Sequence, residues 1–87
     1  MGQSRDAIVT TIQTVLRESG REVPEILDED HLTDTLKLDS LDLAVLVVGL
    51  EKSLGIDPFR EGARPVPTVG ELATLYDQTL AAKENGG

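Results

Sequence analysis

Ser40 is the residue whose setting suggests covalent chemistry: it stands in Leu38-Asp39-Ser40-Leu41-Asp42-Leu43, with acids one before and two after it among leucines. A serine becomes a strong nucleophile beside a base held by a third group. The sole histidine, His31, lies nine residues upstream, and there is no cysteine. No triad, no reactive thiolate and no closed Cys/His zinc site can be assembled from this set. Asp28, Asp30 and Asp34 are spaced loosely like a calcium loop, without the EF-hand glycine or the spacing to a terminal glutamate. His31 reads as a loop residue among carboxylates. With no cluster of acid, base and nucleophile, the sequence reads as non-catalytic.

The elements that must position Ser40 are helical. Ile8, Ile12, Val15 and Leu16 recur at helical spacing between Ser4 and Ser19, with Ser4 as the expected N-cap, Asp6 in the first turn and Gly20 as the stop. The apolar run from Leu41 to Leu54 is too long for a typical strand and reads as a second helix, capped by Asp39 with Asp42 at the capping-box position. Leu43, Leu46, Val47, Leu50 and Leu54 supply much of its core face. A third helix starts at Thr68, whose spacing to Glu71 fits another capping box; Leu72, Tyr76 and Leu80 share one face, widened by Val69, Ala73 and Leu75. Asp57-Pro58 predicts a short fourth helix ended by Gly62, and Pro65 and Pro67 hold an extended connector. No strand alternation or hairpin signal appears. The expected class is all-α: a four-helix bundle of three main helices and one short one. The domain is expected over residues 1–83, with a flexible tail at 84–87; Gly86-Gly87 fits that tail, since a ubiquitin-like modifier would need strands.

Between the first and second helices about twenty residues, Gly20 to Asp39, lack a helical period. Loops this long are usually functional or disordered, and Val23, Ile26, Leu27, Leu32, Leu36 and Leu38 are too apolar for disorder, so the loop is expected to be pinned across the bundle by them. Residues 25–42 hold seven acids (Glu25, Asp28, Glu29, Asp30, Asp34, Asp39, Asp42) against Lys37 alone, and so most of the formal net charge of -8. That charge repels phosphate backbones and anionic lipid and favours basic protein surfaces. In 87 residues with 39% hydrophobic content and no disulfide, stability has to come from one contiguous apolar core. No leader or long apolar span is visible, and the expected setting is the cytoplasm.

Asp39-Ser40-Leu41 at the start of the second helix, preceded by a long loop ending Leu36-Lys37-Leu38 and followed by a leucine-rich helix, resembles the acyl carrier proteins of fatty acid and polyketide biosynthesis. The likeness covers the order of elements over most of the chain. It implies that Ser40 carries 4′-phosphopantetheine through a phosphodiester, flanked by Asp39 and Leu41. It also implies that the arm's thiol holds acyl cargo for delivery to partner enzymes, and that a phosphopantetheinyl transferase supplies the activation that Ser40 lacks. Implied partners are acyl-loading and acyl-processing enzymes of acyltransferase, ketosynthase or acyl-ligase type, with basic or apolar docking patches, meeting a monomer. The physical setting is compatible, because free N–H groups and the positive end of a helix favour a phosphate in the first turn. The alternative for Ser40 is an ordinary helix-start serine.

The second helix departs from the glutamate-rich pattern common in the family. Asp42 and Glu51 remain, whereas Val45 stands where an acid is typical and Lys52-Ser53 follows Glu51. Leu41, Val45 and Val48 fall on one stripe. Exposed, they form with Asp42 and Glu51 the expected partner surface, acidity steering the encounter and aliphatic contacts setting selectivity; the alternative is that Val45 and Val48 are largely buried, as in a helix apolar all round. The largely aliphatic interior is compatible with a cleft for an acyl chain, or with plain packing. Two other functions remain open: a peptidyl or aryl carrier, whose usual paired glycines are replaced here by Lys37-Leu38, and an unmodified helical adaptor.

Overall fold

Glycine stops the first helix where the sequence expects. The computed structural model describes residues 3–85, in which α1 runs Gln3–Glu18, α2 Ser40–Leu54 and α3 Val69–Asn85. Gly20 takes φ +76°, and the N–H groups of Gly20 and Arg21 donate to the carbonyls of Arg17 and Leu16, closing a Schellman motif. The start of α1 differs from expectation. Ser4 is inside the helix and fully buried; its N–H donates to Asp77 Oδ1 at 3.2 Å, so tertiary burial overrides its capping preference.

Helix α1 packs closely against both α2 and α3, whereas the backbones of α2 and α3 stay further apart. The loops complete the core, with Ile26, Leu32, Leu36 and Leu38 before α2 and Ile56, Phe59 and Val66 after it. Leu32 N–H donates to Pro67 O at 2.9 Å, and Val69 and Gly70 N–H donate to Asp30 O and Asp28 O at 3.0 and 2.9 Å. Hence the long loop is tied to the start of α3 by backbone bonds, including an isolated antiparallel bridge between His31 and Thr68. Gly70 permits this approach, since a Cβ there would lie 3.1 Å from Asp28 Cβ and 3.2 Å from its carbonyl oxygen. Val23 and Leu27, expected among the pins, are exposed. An aperiodic loop does not dictate which of its apolar side chains turn inward.

The described residues contain no strand, and the all-helical class stands. Residues 58–62 form successive turns in place of the expected short helix. Asp57 Oδ1 accepts from the N–H of Phe59 and Arg60 as a cap would, but Gly62 at φ +102° ends the segment before a helical repeat is established. Thr68 Oγ accepts from Glu71 N–H at 3.2 Å, half of the expected capping box. Helix α3 continues through Glu84 and Asn85, and Gly86-Gly87 lies outside the described residues. No helix among the described residues is long and apolar enough to cross a membrane.

Tyr76 is fully buried in the core, edge-on to Phe59 with ring centroids 6.3 Å apart. Its hydroxyl has no hydrogen-bond partner among the described residues, and burial, then Asp57 and Glu51, pushes its pKa up to about 12. The unfolded chain therefore releases this proton near pH 10, the model-peptide value, while the folded chain keeps it. Stability linked to Tyr76 is intact below pH 10 and lost as pH rises toward 12, on the order of 2 kcal/mol in all. We predict that Tyr76→Phe is neutral or stabilising at pH 7 and has a shallower decline above pH 10 in urea denaturation. Equal slopes for the two proteins would refute the prediction.

Candidate functional site

Asp39 positions the start of α2 through a complete capping box. Its carboxylate accepts from Asp42 N–H at 2.8 Å, and Asp42 Oδ2 accepts from Asp39 N–H at 3.3 Å. Leu43 N–H donates to Asp39 O at 2.9 Å. Two first-turn donors, the N–H groups of Ser40 and Leu41, have no acceptor among the described residues. Ser40 is the first helical residue and is exposed, and its hydroxyl makes no hydrogen bond to a described residue. A serine oxygen thus faces solvent beside two free donors at the positive end of a helix, which suits an ester-linked phosphate.

The turn leading to Ser40 is held from two sides. Leu38 is buried, and its N–H donates to Leu32 O at 3.0 Å. Lys37 takes φ +58°, an uncommon conformation for a residue with a side chain. Its carbonyl accepts from Arg21 Nη1 at 2.7 Å, while Arg21 Nη2 lies 3.1 Å from Asp42 Oδ2. Sequence reasoning passed over Arg21. No local pattern joins positions so far apart along the chain.

Leu41, Val45 and Val48 are exposed at 72%, 44% and 51%, so the aliphatic stripe of α2 does face solvent. The two acids grouped with it are engaged within the chain. Asp42 is buried against Arg21, and Glu51 is bound by Arg60 Nη1 at 3.1 Å. Asp42, which the sequence places both at the capping-box position and in the partner surface, commits its carboxylate to the capping box and the Arg21 pair. In the acidic loop Asp28 pairs with Arg5 and Asp30 accepts from Leu27 N–H, which makes these acids structural parts of the loop.

Between α2 and the connector to α3 lies a groove of about 530 Å³, with Ser40 among its lining residues. Leu43, Leu46, Val47, Phe59, Val66 and Leu72 form much of its apolar wall. The groove follows from the packing of the helices: α2 and α3 each lean on α1, and the connector only partly fills the space left between them.

Fold and site together define a class, a small helical domain presenting a serine in the first turn of a capped helix. Residues 6–76, most of the chain, match the family described as the phosphopantetheine attachment site, and 4′-phosphopantetheine is accordingly the expected cofactor. The acyl carrier protein of Thermotoga maritima is 28% identical over 78 residues, covering 88% of this chain and 96% of that protein. The acyl carrier protein of Coprothermobacter proteolyticus is 29% identical over 80 residues, covering 91% and 98%. The chloroplastic acyl carrier protein of Brassica napus is 35% identical over 60 residues, covering 69% of this chain and 44% of that protein. No solved structure matches the chain. The chain belongs to the phosphopantetheine attachment family and, within it, to the acyl carrier proteins.

Proposed function

We propose that Ser40 carries the 4′-phosphopantetheine arm and that the chain ferries acyl groups between enzymes of fatty acid, specialised lipid or polyketide biosynthesis in the cytoplasm. The observation that carries this reading is the exposed, unpartnered Ser40 hydroxyl beside the free N–H groups of Ser40 and Leu41. In the modification Ser40 Oγ bonds to the pantetheine-side phosphorus of coenzyme A. The pyrophosphate P–O bond breaks, 3′,5′-adenosine diphosphate leaves, and the serine proton passes to a base of the transferase. Once attached, the arm supplies a thiol on which acyl groups are held as thioesters. The chain's own part is to expose Ser40, offer two donors to the phosphate, and present a groove whose aliphatic wall suits an aliphatic cargo. Incubating the apo protein with coenzyme A and a broad phosphopantetheinyl transferase is expected to add one arm per chain by mass spectrometry. An unmodified chain beside a fully modified control carrier would instead support the adaptor reading.

The exposed stripe of Leu41, Val45 and Val48 is the docking surface in this reading, with the acidic loop steering the encounter. Salt is then expected to slow association with the transferase. Val45→Ala is expected to raise the dissociation rate about 5-fold, as for a contact of about 1 kcal/mol. Loss of most affinity at moderate salt, with no effect of Val45→Ala, would overturn this assignment.

A further inference from the structure

We propose that Arg21 is the positioning residue for modification at Ser40, a clamp reaching from the end of α1 to the turn that presents the serine. This inference rests on Ser40 as the attachment site. Arg21 is well placed for the role, because its own N–H donates to Leu16 O at 2.9 Å in the Schellman motif, fixing its backbone to α1. From that anchor its guanidinium donates to Lys37 O at 2.7 Å and meets Asp42 Oδ2 at 3.1 Å. These two acceptors bracket Ser40 in sequence, at the left-handed residue before the cap and at the third residue of the helix. A planar fork of donors can hold both at once, which an ammonium group cannot do with the same geometry.

The pairing also has an electrostatic effect. A phosphodiester on Ser40 brings a negative charge into a turn that already holds Asp39 and Asp42. Arg21 offsets the Asp42 carboxylate, and so reduces the like-charge repulsion that the new phosphate meets. The same pair engages Asp42 internally, while Ser40 and the aliphatic stripe stay exposed on the first turns of α2.

Steady-state phosphopantetheinyl transfer on the full chain tests the proposal. Without the clamp, only a fraction of molecules holds the Lys37–Asp42 turn ready, and the apparent affinity falls by that fraction. Arg21→Gln is therefore expected to raise KM for the protein substrate about 5- to 10-fold with kcat nearly unchanged, and Arg21→Lys to recover part of the loss. Amide exchange, which needs no transferase, is expected to accelerate at Leu38 and Asp42 in Arg21→Gln while Leu50 stays as protected as in the wild type. Wild-type KM in Arg21→Gln, a fall in kcat alone, or exchange that accelerates equally at Leu50 would each overturn the clamp. Failure of the wild-type chain to be modified would overturn the Ser40 reading itself, and the exchange measurement would still decide whether Arg21 holds the turn.

Discussion

Ser40→Ala is expected to take up no phosphopantetheine under conditions that fully modify the wild type, while unfolding at nearly the same denaturant concentration. The two halves of this prediction rest on different residues. The cap of α2 is made by Asp39 and Asp42, and Ser40 at the first helical position contributes no hydrogen bond to another described side chain. Alanine is favourable in helices, so the stability change should stay within about 0.5 kcal/mol. Asp39→Ala is the complementary variant: it keeps the hydroxyl but loses the cap, at a cost of about 1 kcal/mol. The other serines are poor substitutes. Ser4 is fully buried, and Ser19 and Ser53 lie at the carboxyl ends of α1 and α2, where the helix dipole disfavours a phosphate. Mass spectrometry of intact Ser40→Ala decides the matter, and an arm found on it would move the attachment site elsewhere.

The start of α2 was legible because its determinants are local. Asp39 and Asp42, three residues apart, suffice to close a capping box, and Gly20 suffices to end α1 in the left-handed region. Where a local signal competed with packing, packing won: Ser4 has the right type for a cap but is drawn into the interface with α3 near Asp77. Asp57 caps the following turn as its sequence signal predicts, yet Gly62 follows too soon for a helix. The acidic pattern around Ser40 was visible as charge, whereas the pairing of Asp42 with Arg21 depends on how the loop returns past α1. Exposure of Leu41, Val45 and Val48 was equally beyond periodicity, because the apolar residues of α2 extend round most of the helix. It follows from α2 making its close backbone approach to α1, which leaves the opposite face to solvent.

That lopsided packing of α2 yields the second large effect, a contrast between two leucines one helical turn apart. Leu46 and Leu50 are both essentially buried, at 1% and 0% exposure. Leu46 also lines the groove beside Ser40, and Leu50 does not. Leu50→Ala leaves a void enclosed by the core and is expected to cost about 3–5 kcal/mol. For 87 residues the whole stability is on the order of 4–13 kcal/mol, so the midpoint of thermal unfolding should fall by roughly 15–30 °C. Leu46→Ala removes the same atoms from a wall that already faces the groove. The space it opens joins that groove, so the penalty for an enclosed cavity is smaller and the expected cost is about 2–3 kcal/mol. Parallel urea denaturation of the two variants measures the difference. Equal losses would mean that the groove closes over Leu46 in solution, and with it the space assigned here to an aliphatic cargo.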